Sequence, residues 1–510
     1  MKWLSTKKRL QRPRKKNLFP HQHVAKKTAF KTQLAAVNLT YHQPALPHLF
    51  FPSITLYMKA FVQSTGMALL LLFATNVQAQ TVLDRYIQEA YSTNLVLKEK
   101  KTGLDKSLLA IKEARSLFLP TTWFETQYTL ARGGRSIDIP IGDLLNPVYN
   151  TLNQLTNSNS FPNVTNVKEQ FLPNNFYDVR IKTTMPILNP DIKINQQIKE
   201  QELRLKENEI LIYKRELAKE IKLAYYNVLM SAKAISILES ALSVVQQNLR
   251  LNQSLLSNGK GLPAYVARAE SEVSSVENQL LNAKNNEQNA TAYFNFLLNR
   301  NLTEAIIKEE ASMKDLHLQT LLAGDEDVQK REELKGLGIA TGINNSVLKM
   351  NQSFRKPRLN AFLDLASQGF DFKVDRRSFF YLGGVQLQIP IYTGKRNLYK
   401  TEQTGFDLQR IHFQTEQTKQ QLQLALFTSR NNVKNAFNSY QATVKQEQAA
   451  AQYFKLIDRG FKEGVNSFIE FLDARNQHTN AQLQLSINHY KFLASLAEYE
   501  RQTATYSINQ

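Results

Sequence analysis

The stretch DIKINQQIKEQELRLKENEILIYKRELAKEIKLAYYNVLMSAKAISILESALSVVQQNLRLNQSLLSN, Asp191 to Asn258, contains neither proline nor glycine. At ~1.5 Å per residue a single helix over it reaches roughly 100 Å, against the ~10–14 residues usual for a helix in a globular protein. A second such run follows Gly405: proline is absent from there on, and the only glycines are Gly460 and Gly464. The apolar stripes along these runs are narrow. One reads Leu203, Ile210, Leu217, Ile221, Val228, the other Leu422, Leu426, Val433, Phe437. Helices of this length with so little apolar surface need partner helices to cover them, so the expectation is an elongated object whose length is part of its function.

Working outward, each run sits in the same order of elements. From Thr81 to Leu119 helical spacing recurs at Leu83, Ile87, Ala90, Leu95, Leu97, Leu104, Leu108, Ile111 and Ala114, and Pro120 ends it. Period-two alternation then predicts strands at Thr121–Leu130 and Phe176–Ile187. Between them lies a long Asn-, Pro- and Gly-rich loop from Arg132 to Asn175, with one short helix near Asp143–Leu155. The first long helix, Ile192–Ser257, breaks at Asn258-Gly259-Lys260-Gly261-Leu262-Pro263 and returns over Ala264–Asn299. A mixed segment carries the acidic turn at Gly324-Asp325-Glu326-Asp327, and helix resumes near Ile343 until Pro357. Strands at Arg358–Ser367 and Ser378–Ile391 follow, then a helix from about Asn397 to Arg459, a break at Gly460 to Gly464, and a return to the C-terminus. The strand-ending prolines Pro186 and Pro390 stand 204 residues apart and Gly259 and Gly460 stand 201 apart, the mark of an internal duplication. The expected division is an extension at 1–57, a signal peptide at 58–79, a first repeat at 80–300, an equatorial linker at 301–342 and a second repeat at 343–510.

Composition narrows the class. Hydrophobic residues make up 42% and charged residues 21% of the chain, too polar for a helical membrane protein and too apolar for disorder. Cysteine is absent, which excludes disulfides, thiolate metal sites and cysteine nucleophiles. The net charge of +20 is concentrated at the start, since residues 1–57 hold eleven Lys or Arg and no acid. Met58-Lys59, the apolar run Met67–Ala74 and Val77-Gln78-Ala79 read as a secretory signal with cleavage after Ala79. The basic leader ahead of it reads most simply as sequence upstream of the true start. The mature chain then begins at Gln80 and is exported.

Export changes the meaning of the strands. Each is ~10 residues long with one apolar and one polar face, the dimension and alternation of an outer-membrane barrel strand. Trp123, Phe176, Tyr177, Phe379, Phe380 and Tyr381 cluster towards the strand ends, as an interfacial girdle does. Four strands cannot close a barrel, and an open edge in lipid leaves backbone groups unbonded, so several chains must share one barrel.

The sequence resembles the TolC-like outer-membrane efflux proteins over about residues 81–505. The resemblance is carried by Val385-Gln386-Leu387-Gln388-Ile389-Pro390-Ile391-Tyr392-Thr393-Gly394-Lys395-Arg396, and by Gly464 followed by Phe468-Ile469-Glu470-Phe471-Leu472-Asp473-Ala474-Arg475. The first-repeat counterparts, Val179 to Asn189 and Gly261-Leu262-Pro263-Ala264-Tyr265-Val266-Ala267-Arg268-Ala269-Glu270, match more weakly. The fold implied is a mixed α/β membrane protein: a long α-helical coiled-coil tunnel plus a transmembrane β-barrel shared by a homotrimer, four strands per protomer, with an internal two-fold repeat. The function implied is an outer-membrane exit duct of a tripartite efflux or type I secretion system. Its partners would be a periplasmic adaptor, an RND- or ABC-type inner-membrane pump and outer-membrane lipid.

The resemblance places the pore constriction at Glu470 and Asp473, which stand three apart on one helix face. In a trimer six carboxylates would crowd one axis, raising their pKa values and binding cations. As an isolated pair they are two solvated surface acids. The family's closing arginine after the turn glycine is replaced here, with Asn466 two residues beyond Gly464. The adaptor-contacting tip is placed at Gly259, Gly261, Leu262, Pro263, Gly460 and Gly464, although turn geometry alone also accounts for these glycines. No cofactor or metal is expected: Gly336-Leu337-Gly338-Ile339-Ala340-Thr341-Gly342 follows a charged stretch rather than a strand, and the histidines lack ligand spacing. An enzyme is not expected. Two other readings are a soluble periplasmic coiled-coil adaptor or scaffold, and nucleic-acid binding through the basic leader.

Overall fold

The computed structural model describes residues 81–309 and 327–508. The expected leader and signal peptide, and the turn at Gly324 to Glu326, lie outside the described residues.

Two helices open the described residues, α1 (Val82–Thr93) and α2 (Leu95–Ser116). They are separate because Asn94 leaves helical geometry and caps α2, its Oδ1 accepting the Leu97 N–H at 3.1 Å while its amide donates to the Leu297 carbonyl at 2.9 Å. Strand β1 (Thr121–Thr129) leads into an excursion built from a small antiparallel pair, β2 (Ser136–Ile139) and β3 (Val167–Gln170), around α3 (Ile141–Thr156). Then come β4 (Phe176–Leu188), α4 (Pro190–Ser257) and α5 (Pro263–Leu297), the last two antiparallel across a tight turn. A 3-10 turn at Val328–Lys330 precedes α6 (Glu332–Gln352), β5 (Arg358–Phe370), β6 (Phe379–Gln388), α7 (Arg396–Lys462) and α8 (Phe468–Thr503).

The long helices match expectation closely: α4 is 68 and α7 is 67 residues. Pro190 takes the first-turn position of α4, where its missing N–H costs nothing, and the Asn189 side chain caps the Asp191 N–H. By length and composition α4 could cross a membrane. Its apolar residues are spent differently: Leu217, Ile221, Val228 and Leu229 are buried against Tyr86, Ile87, Ala90, Phe294 and Leu298, forming the main core where α1, α4, α5 and α8 meet. A second core joins Leu422, Leu426 and Val433 of α7 to Phe492 and Tyr499 of α8.

Helix α6 begins at Glu332, well before the expected onset near Ile343. Its three glycines do not break it, and one is a close-contact position: a Cβ on Gly336 would stand 2.9 Å from Asn208 Nδ2. Gly336 thus lets α6 lie close on α4. A network of ions locks the same region. Arg215 grips Glu332 with two bonds of 2.8 Å, and Glu333 accepts from both Arg331 and Arg501 at 2.8 Å. Arg331 is only 2% exposed and also donates to the Gln502 carbonyl at 2.7 Å. Arg215 holds the Ala504 and Tyr506 carbonyls, so the end of α8 is tied to the middle of α4.

The four strands form one antiparallel sheet in the order β1-β4-β5-β6. Register alignment places Phe124, Ile181, Leu365 and Tyr381 in one row, with Met185, Ala361 and Val385 in another row on the same face. The opposite face carries Glu125, Arg180, Lys182 and Asp364, with Asp178 and Asp364 paired to Arg180.

Burial alone would raise the Glu333 carboxyl, but the hydrogen bonds from Arg331 and Arg501 outweigh it and hold it down at about 2, against an ordinary 4.5. Because the folded-state value is depressed, the stability it contributes is full above pH ~4.5 and drains away as pH falls towards 2. Thermal melts from pH 7 down to pH 2.5 are expected to steepen below pH 4.5. A Glu333→Gln variant should flatten that acid slope and, at pH 7, lose roughly 3 kcal/mol for a broken, largely buried pair.

Candidate functional site

The two long helical hairpins turn by the same device. At the end of α4 the chain passes through Gly259 at φ +70°, with Gly259 N–H bonded to the Leu256 carbonyl and Lys260 N–H to the Leu255 carbonyl, both at 2.9 Å. At the end of α7 it passes through Gly464 at φ +79°, with Gly464 N–H on Phe461 at 3.1 Å and Val465 N–H on Gly460 at 2.8 Å. Each is the paired hydrogen-bond closure of a helix whose next residue is left-handed, where glycine carries no Cβ penalty. The structural counterpart of Gly259 is therefore Gly464. Gly460 sits inside the last turn of α7, where a Cβ would strike the Asn466 side chain at 2.0 Å. Gly261 is required for closeness as well, since a Cβ there would lie 2.6 Å from the Leu256 nitrogen. Pro263 starts α5, and Leu262 before it projects outward at 55% exposure.

Behind the turns the two hairpins are stapled together. Ala269 of α5 is buried with Phe468, Phe471 and Leu472 of α8, and Tyr265, Phe454 and Phe461 pack around them. Tyr265 and Phe468 rings meet at 5.3 Å. Beside this aromatic group Arg475, buried on α8, pairs with Glu272 of α5 at 3.0 Å, and Glu272 also receives Arg268 at 2.8 Å. Burial pushes the Arg475 guanidinium down, and the nearby Glu272 carboxylate opposes that push. Arg475 ends the second quoted motif and Arg268 lies in its first-repeat counterpart, yet nothing in the linear sequence says that they share one carboxylate.

Glu470 and Asp473 both lie on the exposed side of α8, while Phe468, Phe471, Leu472 and Ala474 face inward. Their situations differ. Glu470 closes a capping box: its Oε2 accepts the Ser467 N–H at 2.7 Å, and its own N–H is bonded to Ser467 Oγ at 3.2 Å. Asn466 adds a longer bond of 3.4 Å. The Ser467 backbone N–H, then its hydroxyl and Asn466, hold the Glu470 carboxyl below the usual range. Within a single chain the shift is thus opposite to the rise expected from crowding around an axis.

Among the described residues no group of His, Asp or Glu is placed to hold a metal ion.

Residues 348–501 match the family model "Outer membrane efflux protein". No curated protein matches the chain. Solved structures share the fold at low identity. The outer-membrane channel OprN matches at TM-score 0.65 and 13% identity, over 83% of this chain and 89% of its own. The Campylobacter jejuni CmeC outer membrane channel matches at 0.64 and 13%, over 83% and 85%. The Vibrio cholerae outer membrane protein VceC matches at 0.63 and 14%, over 82% and 95%.

An Arg475→Ala variant leaves Glu272 partly buried with only the more exposed Arg268, and should loosen the staple between the hairpins. Limited proteolysis is expected to cut the turns near 258–263 and 463–467 faster than in the parent, with the far ends of α4 and α7 unchanged. An unaltered pattern would mean that the aromatic group holds the tip unaided.

Proposed function

We propose that this chain, a TolC-like outer-membrane efflux protein, is the exit duct of a tripartite efflux or type I secretion system. Three copies build it. The four-stranded sheets join into one barrel in the outer membrane, and the long helices continue it as a periplasmic tunnel. Substrates pass through from an inner-membrane pump of RND or ABC type, delivered across a periplasmic adaptor. It is a transport protein and not an enzyme.

The observation that carries this is the sheet. Its row Phe124, Ile181, Leu365, Tyr381 and its neighbours Val385 and Leu387 are largely exposed in the protomer, on a face whose opposite side is charged. A sheet in a soluble scaffold would turn that face into a core. Facing hydrocarbon, it needs no cover. The polar face, with Arg180 held between Asp178 and Asp364, suits a water-filled lumen. The soluble adaptor or scaffold finds no support in such a sheet.

The tip formed by Gly259, Gly261, Leu262, Pro263, Gly460 and Gly464 is the end that meets the adaptor. Leu262 and Val465 project from its two turns, at 55% and 80% exposure, and supply apolar anchors for that contact. Glu470 and Asp473 follow immediately on α8 and line the constriction of the closed mouth, with Asp473 the carboxylate left over once Glu470 has capped its helix.

Lipid exposure is tested by position within the sheet. Ile181→Arg, near the middle of β4 on the apolar face, should cost about 2–4 kcal/mol of barrel stability in vesicles. Lys182→Arg, one residue on and on the other face, should cost little. Equal effects from the two would remove the bilayer assignment. The constriction is tested by single-channel conductance in planar bilayers. A Glu470→Ala, Asp473→Ala double variant should conduct more and lose cation selectivity relative to the parent. Conductance unchanged by the two substitutions would leave the duct and discard the constriction.

A further inference from the structure

Strands and helices leave their open ends in the same places. The sheet runs β1-β4-β5-β6, and the helices beside it pack in the matching order: α2 on α4, α4 on α6, α6 on α7. Strand β1 follows α2 directly, and α7 follows β6 directly. In a closed ring of copies, the one that continues the sheet at β6 brings its β1 there, and with it its α2 alongside α7.

Both edge helices carry apolar residues that nothing among the described residues covers. On α7, Tyr399, Phe406, Phe413 and Phe427 recur at multiples of seven, which places them on one side of the helix. They are between 54% and 68% exposed, whereas Ile411, Leu422 and Val433 on the other side are buried. On α2, Leu97, Ile111 and Ala114 are buried, while Leu95 and Leu109 stand 62% exposed on the opposite side. At ~1.5 Å per residue α2 covers the upper ~33 Å of the helical layer, which spans the depth of Tyr399, Phe406 and Phe413. Below that depth the packing order becomes α5-α4-α8-α7, so the edge facing α7 passes to α5. Phe296, 66% exposed near the upper end of α5, lies at a depth close to that of Phe427.

We propose that the occupant of this face is a second copy of the chain. The aromatic ladder of α7 is one half of the subunit seam. Tyr399, Phe406 and Phe413 pack on the outward side of the neighbouring α2 around Leu109, and Phe427 packs on the neighbouring α5 at Phe296. The seam then zips the helical layer along the same line on which β6 meets the next β1. It rests on the trimeric reading above and assigns the residues that hold the trimer outside the membrane.

The absence of cysteine makes the test free of background. Leu109→Cys is combined in turn with Tyr399→Cys, Phe406→Cys and Phe413→Cys, so that the three pairs span the register between α2 and α7. The full chain is oxidised in detergent, and its native size is measured alongside by light scattering. At least one pair is expected to give reducible dimer and trimer bands in most chains, with none from the single-cysteine versions. Trimers by light scattering with no cross-link from any pair, or from a Phe296→Cys, Phe427→Cys pair, would overturn the seam while leaving the shared barrel standing. A monomer by light scattering would overturn the trimer and the seam with it. All of these positions are exposed in the protomer, so the substitutions leave its own packing intact.

Discussion

A sheet edge in hydrocarbon leaves a row of N–H and C=O groups with nothing to bond to, and each unmade bond there costs several kcal/mol. Among the described residues β1 and β6 each pair on one side only. Most of the rest of the structure can be understood as a consequence of that constraint. On the proposed shared barrel, the chain has to deliver both edges intact to its neighbours, in register and at a fixed tilt. Rigid helices attached directly to the strands are the means: α4 begins two residues after β4 ends, with Asn189 capping it and Asp191 paired to Arg358 at the start of β5. The strand direction is thereby transmitted into the helical layer with little freedom at the junction.

Helices of 67 and 68 residues are far too long to be stabilised by one compact core. The protomer concentrates its burial in three places instead. Near the middle, aromatic and aliphatic residues of α1, α4, α5 and α8 form the main core, and the Arg215–Glu332 and Arg331–Glu333–Arg501 pairs bind the end of α8 and the start of α6 to α4. At the tip the aromatic group around Phe468 and Phe471 joins the two hairpins. Between them the helices carry small clusters such as Leu238, Leu280 and Ala283. Buried ion pairs add little net stability against an apolar alternative, but they penalise strongly any slip that separates partners. That suits a position where register along a 100 Å helix has to be held.

Much of this was legible in the sequence because long helices and alternating strands are written in residue periodicity. The strand pairs, the two returns and even the short helix in the 130–175 excursion lie within a few residues of expectation. Two of the misses share a cause: glycine has two uses that a sequence cannot separate. Gly336, Gly338 and Gly342 look like a break but sit inside α6, where Gly336 allows close approach to α4. Gly460 looks like the turn and is a helical residue whose carbonyl closes it, while Gly464 alone takes the left-handed conformation. Contacts across chain distance were not legible at all. Arg475 and Glu272 are 203 residues apart and Arg215 and Glu332 are 117 apart, and no local pattern announces either pair.

The two carboxylates of α8 show why a motif fixes positions more firmly than roles. Three-residue spacing puts Glu470 and Asp473 on one face, and symmetry would multiply them around an axis. Yet Glu470 occupies the third position of the helix, where a carboxylate closes the capping box with Ser467 and faces the positive end of the helix dipole. Both effects favour its charged form and keep the side chain folded back on its own backbone. Asp473, one turn further, has neither restraint and is exposed. If charge is to be presented to a passing ion, Asp473 can do so without releasing a helix start, whereas Glu470 can do so only by uncapping α8. Loss of that cap would fray the first turn of α8, the turn that carries Phe468 and Phe471 into the staple between the hairpins. On the proposed constriction, charge at the mouth and order at the tip are therefore coupled through one side chain.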